Sequence, residues 1–318
     1  MRKGDAQPRL DGKQERGEVE VDGERIGYTL CEVDARPEGQ RIANARDKAL
    51  DGNLNVYVPG HGQRVAAARN LIAAIVTRSS SKVLWAIDID PPGGGDPARA
   101  EALVKIVRRK ASEEIFGGEG QESAIPPPFR VTLFGWSHGG AETLRAAEKA
   151  PDLFQQIVCL CPAGLVERSP SELLWSFFLE CWRILWDAWP RLDRSIARAL
   201  AVGYEVLAGL FCDLVRTKSL RRVINDVRWA SEKVAGKDYE YDGMAVILFG
   251  EQDGVIRWRD VFPACQHPGD IETFLEDYKK RDFPLARGLR VRVLEGSHIA
   301  PEIRAPLYVK TALDLLDR

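Results

Sequence analysis

Phe129 to Lys149 reads FRVTLFGWSHGGAETLRAAEK, and its interpretation decides the fold. Arg130 to Phe134 is apolar and β-prone, and Gly140 to Lys149 is helix-like. Between them stands Gly135-Trp136-Ser137-His138-Gly139, the pattern G-x-S-x-G. A strand, a tight turn carrying serine and then a helix is the context in which this pattern marks a nucleophile elbow. The flanking glycines have a steric reason, since side chains would clash where strand and helix meet so sharply. Five residues alone are weak evidence, so the reading rests on what surrounds them.

Working outward, strand-like and helix-like segments alternate. Leu54 to Pro59, Lys82 to Ile89, Arg130 to Phe134, Ile157 to Leu160, Ala245 to Phe249 and Val291 to Leu294 read as strands. Val65 to Val76, Pro97 to Lys110 and Ala305 to Leu316 read as helices. Residues 18–33 alternate around Asp22-Gly23 and predict a β-hairpin. The pattern is α/β: a mostly parallel sheet with helices on both faces. Two segments, 18–163 and 244–318, form this core, and the polar stretch Met1 to Gly17 reads as an N-terminal tail.

Residues 164–243 break the rhythm as a mainly helical insertion, placed where a cap could cover the sheet. Ser169-Pro170-Ser171-Glu172 predicts its first helix start, with serine as cap, proline first and glutamate third. Ser176, Glu180, Arg183 and Asp187 then form one narrow polar stripe, within which Glu180–Arg183 and Arg183–Asp187 can pair. The wide remaining arc carries Trp175, Phe177, Phe178, Trp182, Trp186 and Trp189. Such a helix can pack between two layers, line an apolar pocket, form a homodimer contact or lie on a membrane surface. A second helix is expected near Ile196 to Val215.

The 318 residues suffice for a sizeable core, and 45% apolar with 29% charged residues describes a soluble globular chain. A net charge of −2 gives no electrostatic case for nucleic acid. The N-terminal stretch has no apolar signal core, so a cytoplasmic location is expected. The six cysteines form no C-x-x-C pair and read as reduced and buried. Cys159 and Cys161, two apart in a strand-like run, should share a face, and no metal site is expected there.

A serine hydroxyl needs a general base, and the base needs a carboxylate to orient it. Of four histidines, His298 follows a strand in Gly296-Ser297-His298, at the same sheet edge as Ser137. His138 adjoins the serine and should point away, while His267 reads as a surface-loop residue. Asp253, in the turn Gly250-Glu251-Gln252-Asp253 after another strand, is the candidate acid, with Glu251 as the alternative. An oxyanion requires two N–H donors. The backbone of His138 is one; Gln63, in Pro59-Gly60-His61-Gly62-Gln63, is the other, with Gly62 as its alternative. His61, Trp136, Trp175 and Trp182 are the candidate substrate-pocket residues.

These elements together resemble the α/β-hydrolase superfamily, over residues 54 to 300. The resemblance implies an eight-stranded, mostly parallel sheet, a helical cap and a Ser-Asp-His triad, with no cofactor. Related dehalogenases and epoxide hydrolases carry aspartate as nucleophile, so Ser137 favours acyl chemistry. The loop Asp90 to Asp96 departs from the usual turn by its prolines and glycines, so the resemblance does not fix the shape of the pocket mouth, while the triad is unaffected. The expectation is a serine hydrolase acting on a small-molecule ester or thioester with an apolar group. The same residues would serve an acyltransferase or perhydrolase, and a ligand receptor on this fold is the reading from a different class.

Overall fold

The computed structural model describes residues 13–35, 53–60, 63, 65, 68–92, 95–115, 130–188, 204, 208, 225, 228, 232–234, 241–278 and 288–317. His61, Gly62, Trp189, most of the expected helix at 196–215 and Pro126 to Pro128 lie outside these residues.

Eight strands form one sheet in the order β1-β2-β4-β3-β5-β6-β7-β8. They are β1 (Lys13–Val21), β2 (Glu24–Asp34), β3 (Asn53–Val58), β4 (Val83–Ile89), β5 (Arg130–Trp136), β6 (Phe154–Leu160), β7 (Met244–Gly250) and β8 (Leu289–Leu294). β2 runs antiparallel to both β1 and β4, and every other neighbouring pair is parallel. The hairpin turn is made by Asp22 and Gly23, both at positive φ (49° and 80°). That conformation matches the right-handed twist of the flanking strands. β1 begins at Lys13, so Lys13 to Gly17 is strand rather than tail. Each of these residues pairs with β2, which offers its open edge as a template.

β4 and β5 are buried nearly throughout because helices cover both faces of the sheet. Alternate side chains enter two separate cores. Leu54, Val56, Val131, Leu133, Ile157 and Ile247 point to the side of α2 (Gly95–Ile115) and α3 (His138–Lys149). Tyr57, Leu84, Phe134, Val158, Val246 and Leu248 point to the side of α1 (Arg69–Arg78) and a C-terminal helix over Ala305–Leu316. Cys159 and Cys161 fall into different cores, not one face. The physical reason is that β6 ends at Leu160 and Cys161 turns to φ 45°, which breaks the strand alternation.

Between β6 and β7 the chain forms α4 (Pro170–Ala188). Its start is a reciprocal capping box: Glu172 N–H donates to Ser169 Oγ at 3.2 Å, and Ser169 N–H to Glu172 Oε2 at 3.0 Å. After β7 come α5 (Trp258–Val261) and α6 (Asp270–Tyr278); after β8 come α7 (Ala300–Ile303) and α8 (Ala305–Leu316). No described helix is long and apolar enough to cross a membrane.

The junction of β5 and α3 depends on missing side chains. A Cβ on Gly139 would lie 2.4 Å from the carbonyl oxygens of both Val58 and Pro59. Backbone atoms cannot move aside as a flexible side chain can. Gly139→Ala is therefore expected to cost about 2–3 kcal/mol of stability, measured by denaturant unfolding. An unchanged midpoint would contradict this packing of α3 on the end of β3.

Candidate active site

Ser137 sits between the end of β5 and the first residue of α3 with φ 54° and ψ −118°. A non-glycine residue adopts this conformation only when its surroundings hold it there. Three backbone bonds do so: Ser137 N–H donates to Leu160 O at 3.0 Å, and Ser137 O accepts from Gly140 and Ala163 N–H, each at 2.9 Å. The hydroxyl is thereby held at the carboxyl end of β5.

His298 and Asp253 come from the loops after β8 and β7, at that same edge. His298 Nε2 lies 2.9 Å from Ser137 Oγ, and His298 Nδ1 lies 2.9 Å from Asp253 Oδ2. Asp253 Oδ1 accepts from the N–H groups of Val255 (2.8 Å) and Ile256 (2.7 Å). One carboxylate oxygen thus faces the imidazole and the other is anchored in its own turn. His298 is 1% exposed and Asp253 4% exposed. Glu251, the alternative acid, is exposed. A hydroxyl, an imidazole and a fixed carboxylate in line can pass a proton from oxygen to nitrogen while the carboxylate stabilises the imidazolium.

Solved structures resemble this chain over nearly its whole length. A peroxisomal alpha-beta-hydrolase of Saccharomyces cerevisiae superposes with a TM-score of 0.55 at 12% identity, covering 98% of this chain and 89% of its own. The α/β-hydrolase fold is the fold of this chain. A hydrolase from Pseudomonas aeruginosa aligns with a TM-score of 0.57 at 11% identity, covering 95% and 98% of the two chains. A thermophilic esterase from Thermogutta terrifontis gives 0.52 at 12% identity, covering 95% and 98%. The sequence matches no family model and no curated protein.

Within this α/β-hydrolase fold, His138 begins α3, so its N–H lies beside the serine. Its side chain turns away as expected: Nδ1 lies 3.5 Å from Glu142 Oε1, whose carboxylate also meets Arg99 Nε of α2 at 2.7 Å. Gln63 departs from expectation. Its N–H donates to Gly60 O at 3.0 Å, closing a turn of its own loop. Its side-chain Oε1 accepts from Tyr57 Oη (3.1 Å) and Gly60 N–H (3.4 Å), which braces that loop. Gly60 packs directly on the elbow, since a Cβ there would lie 3.0 Å from the Trp136 ring and 3.3 Å from Ser137 Cβ.

Trp136 is buried, and its indole N–H donates to His298 O at 3.1 Å. It supports the histidine loop. Trp175 and Trp182 are 60% and 58% exposed, and the ring that Trp175 stacks on is Phe178. From α4, Phe177 reaches the site with its aromatic ring, edge-on to the His298 imidazole with centroids 6.5 Å apart. The polar stripe of α4 turns inward at Glu180, which is 3% exposed, and Trp175, Phe178, Leu179 and Trp182 turn outward. His267 is an exposed loop residue.

Burial alone would pull the His298 imidazole down. The Asp253 charge, its hydrogen bond and the Glu180 charge outweigh burial and the opposing Arg168, and the net effect is a raised pKa. Cys161 lies beside the same cluster, its thiol pushed well up by burial and by Asp253. The donor atoms of Cys161, Asp253 and His298 lie within 4.8 Å of one another. Within this group His298 Nδ1 and Asp253 Oδ2 are hydrogen-bonded to each other at 2.9 Å.

The inward Glu180, Phe177 and Arg168, which donates to Val255 O at 2.7 Å and bonds Asp260, are site-supporting residues that the sequence reading missed. The available signal was the stripe itself: four polar residues in an otherwise apolar helix leave too wide an apolar arc for one buried face.

Proposed function

We propose that the protein is a serine hydrolase that cleaves a carboxylic ester or thioester through an acyl-enzyme. The single observation supporting this most is the unbroken hydrogen-bonded line Ser137–His298–Asp253 at the carboxyl edge of the sheet. Ser137 Oγ attacks the carbonyl as His298 Nε2 takes its proton. Collapse of the tetrahedral intermediate expels the alcohol or thiol, which receives that proton. Water then attacks the acyl-enzyme with His298 again as base, and Ser137 leaves protonated. Asp253 holds the imidazole with Nδ1 as donor.

The developing oxyanion is assigned to His138 N–H and to the loop at residues 60–63. Gly62 takes the second role there, because the Gln63 N–H is committed to its turn. An apolar acyl or alcohol group is consistent with Phe177 and Leu173, which pack against the core from α4, the first helix of a cap over the site. Esterase and hydrolase activity among proteins of similar fold agrees with this chemistry.

The reading carries a pH dependence with a definite sign. His298 acts as base only when neutral, and its raised pKa extends the protonated form to higher pH. Hydrolysis is therefore expected to fall as pH drops through a midpoint above about 6.5, the ordinary imidazole value. The measurement is kcat/KM for a chain-length panel of activated esters between pH 5 and pH 9. A rate that stays flat down to pH 5 would rule out a histidine base, and the absence of turnover on every ester would remove the hydrolase reading.

A further inference from the structure

The Glu180 side chain of α4 is buried against the two loops that carry His298 and Asp253. Its Oε2 accepts the N–H of Gly254 at 2.5 Å, and its Oε1 accepts the N–H of His298. A carboxylate is costly to bury, and bonds from N–H groups to the charged form offset that cost. Gly254 follows the acid and His298 is the base itself, and they lie on loops after different strands, β7 and β8. One carboxylate therefore bridges two loops whose separation sets the 2.9 Å contact between His298 Nδ1 and Asp253 Oδ2. The fit is close: a Cβ on Gly254 would lie 3.0 Å from Glu180 Oε2.

We propose that Glu180 is a positioning residue, a clamp from the inserted helix that aligns His298 with Asp253 and adds a second negative charge facing the imidazole. This rests on the hydrolase reading above. The charge matters because positive charge develops on the imidazole as it takes the serine proton, and an additional carboxylate favours that form. The sheet and its strand-end loops do not supply this group; the insertion does. The helix that sits over the site thus helps to hold the proton relay together, and displacing it would loosen the relay.

The groups facing this cluster are Asp253, Arg168 ahead of α4, Cys161 just past β6 and Tyr308 of α8. Burial holds Cys161 and Tyr308 in their neutral forms. Glu180 and Asp253 thus favour the imidazolium, and Arg168 opposes it. Burial first, then Asp253, pushes the Glu180 carboxyl up, His298 and the two N–H donors pull it down, and the net effect is a pKa raised above the ordinary carboxylate value.

The test uses the full chain with Glu180→Gln, which keeps the shape but removes the charge and one acceptor, and Glu180→Ala. Three quantities are read: the His298 imidazole titration by NMR, the pH profile of kcat/KM on an activated ester, and kcat against KM. Glu180→Gln is expected to lower the His298 midpoint by roughly one unit and to move the acid limb of activity with it. It should reduce kcat about tenfold with KM changed less. Glu180→Ala should shift in the same direction with a larger loss. If Glu180→Gln folds and its His298 midpoint and acid limb coincide with those of the wild type, the proposal is overturned. A loss of thermal stability without those shifts, which a merely structural residue would give, overturns it as well. If the wild type neither turns over esters nor is labelled at Ser137 by a fluorophosphonate, the hydrolase reading fails instead, and the NMR titration still decides whether Glu180 sets the proton affinity of His298.

Discussion

Replacing Ser137 by alanine is expected to lower kcat on an activated ester by about 10⁴- to 10⁶-fold while leaving the thermal midpoint nearly unchanged. The substitution deletes one oxygen. It leaves the backbone bonds that hold the elbow in place, to Leu160 O and from Gly140 and Ala163 N–H. It also leaves His298 and Asp253 paired. What disappears is the atom 2.9 Å from His298 Nε2, the proposed nucleophile. Cys161 is no substitute. It is a buried thiol beside Asp253, kept protonated by that burial and that charge. The residual rate would come from donors and binding alone, which act on a water that no serine replaces. The check is a kinetic assay with a melting curve on the same preparation. Retention of more than about a tenth of the wild-type rate would show that Ser137 is not the nucleophile.

Asp253→Asn is expected to cost about 10⁴-fold in kcat, close to the loss of the nucleophile and out of proportion to a one-atom change. Both carboxylate oxygens are occupied. Oδ1 accepts from Val255 and Ile256 N–H, and Oδ2 faces His298 Nδ1. An amide has one acceptor oxygen. If that oxygen stays on the Val255 and Ile256 amides, the NH₂ group faces Nδ1 and forces the imidazole to carry its proton on Nε2. The nitrogen facing Ser137 is then a donor and cannot take the hydroxyl proton. If the amide flips, two buried N–H groups lose their acceptor, which costs roughly 1–3 kcal/mol for each group left unsatisfied. Either outcome is damaging, and they separate experimentally: the first costs activity with stability kept, the second costs both. Activity within tenfold of wild type would mean that Asp253 does not orient the base. The neighbouring Glu251, already exposed, would then need reconsideration.

The parts of this architecture that were legible in the sequence are those with one dominant local cause. The strands β4 and β5 are nearly continuous apolar runs because helices cover both faces. The turn at Asp22-Gly23 and the start of α4 at Ser169 to Glu172 are set by local backbone chemistry, and both occur where that chemistry places them. Ser137, His298 and Asp253 converge because each sits just past a strand of the parallel sheet, which the strand pattern made legible.

Other features depended on tertiary partners. The polar stripe of α4 looks the same whether it meets water or two loop amides. Only the presence of Gly254 and His298 N–H decides that Glu180 faces inward and that Trp175 and Trp182 face outward. Cys161 leaves the face of Cys159 because a positive φ at one residue breaks the strand period, and no propensity announces that. Gln63 N–H closes a turn on Gly60, a bond set by the local path of the loop rather than by residue type. Lys13 to Gly17 became strand only because β2 offered a partner edge. The helix α5 is a single turn, too short for periodicity to show, whereas α6 carries Ile271, Phe274, Leu275 and Tyr278 at helical spacing, a legible signal that the sequence reading passed over.

The role of Ser137 as an activated nucleophile is tested by peptide mapping by mass spectrometry after the full chain reacts with a fluorophosphonate, run on wild type and on Asp253→Asn. One adduct per chain is expected, on the Ser137 oxygen, formed rapidly by the wild type and far more slowly by the variant. No adduct, an adduct at another residue, or equal labelling of both proteins would contradict it.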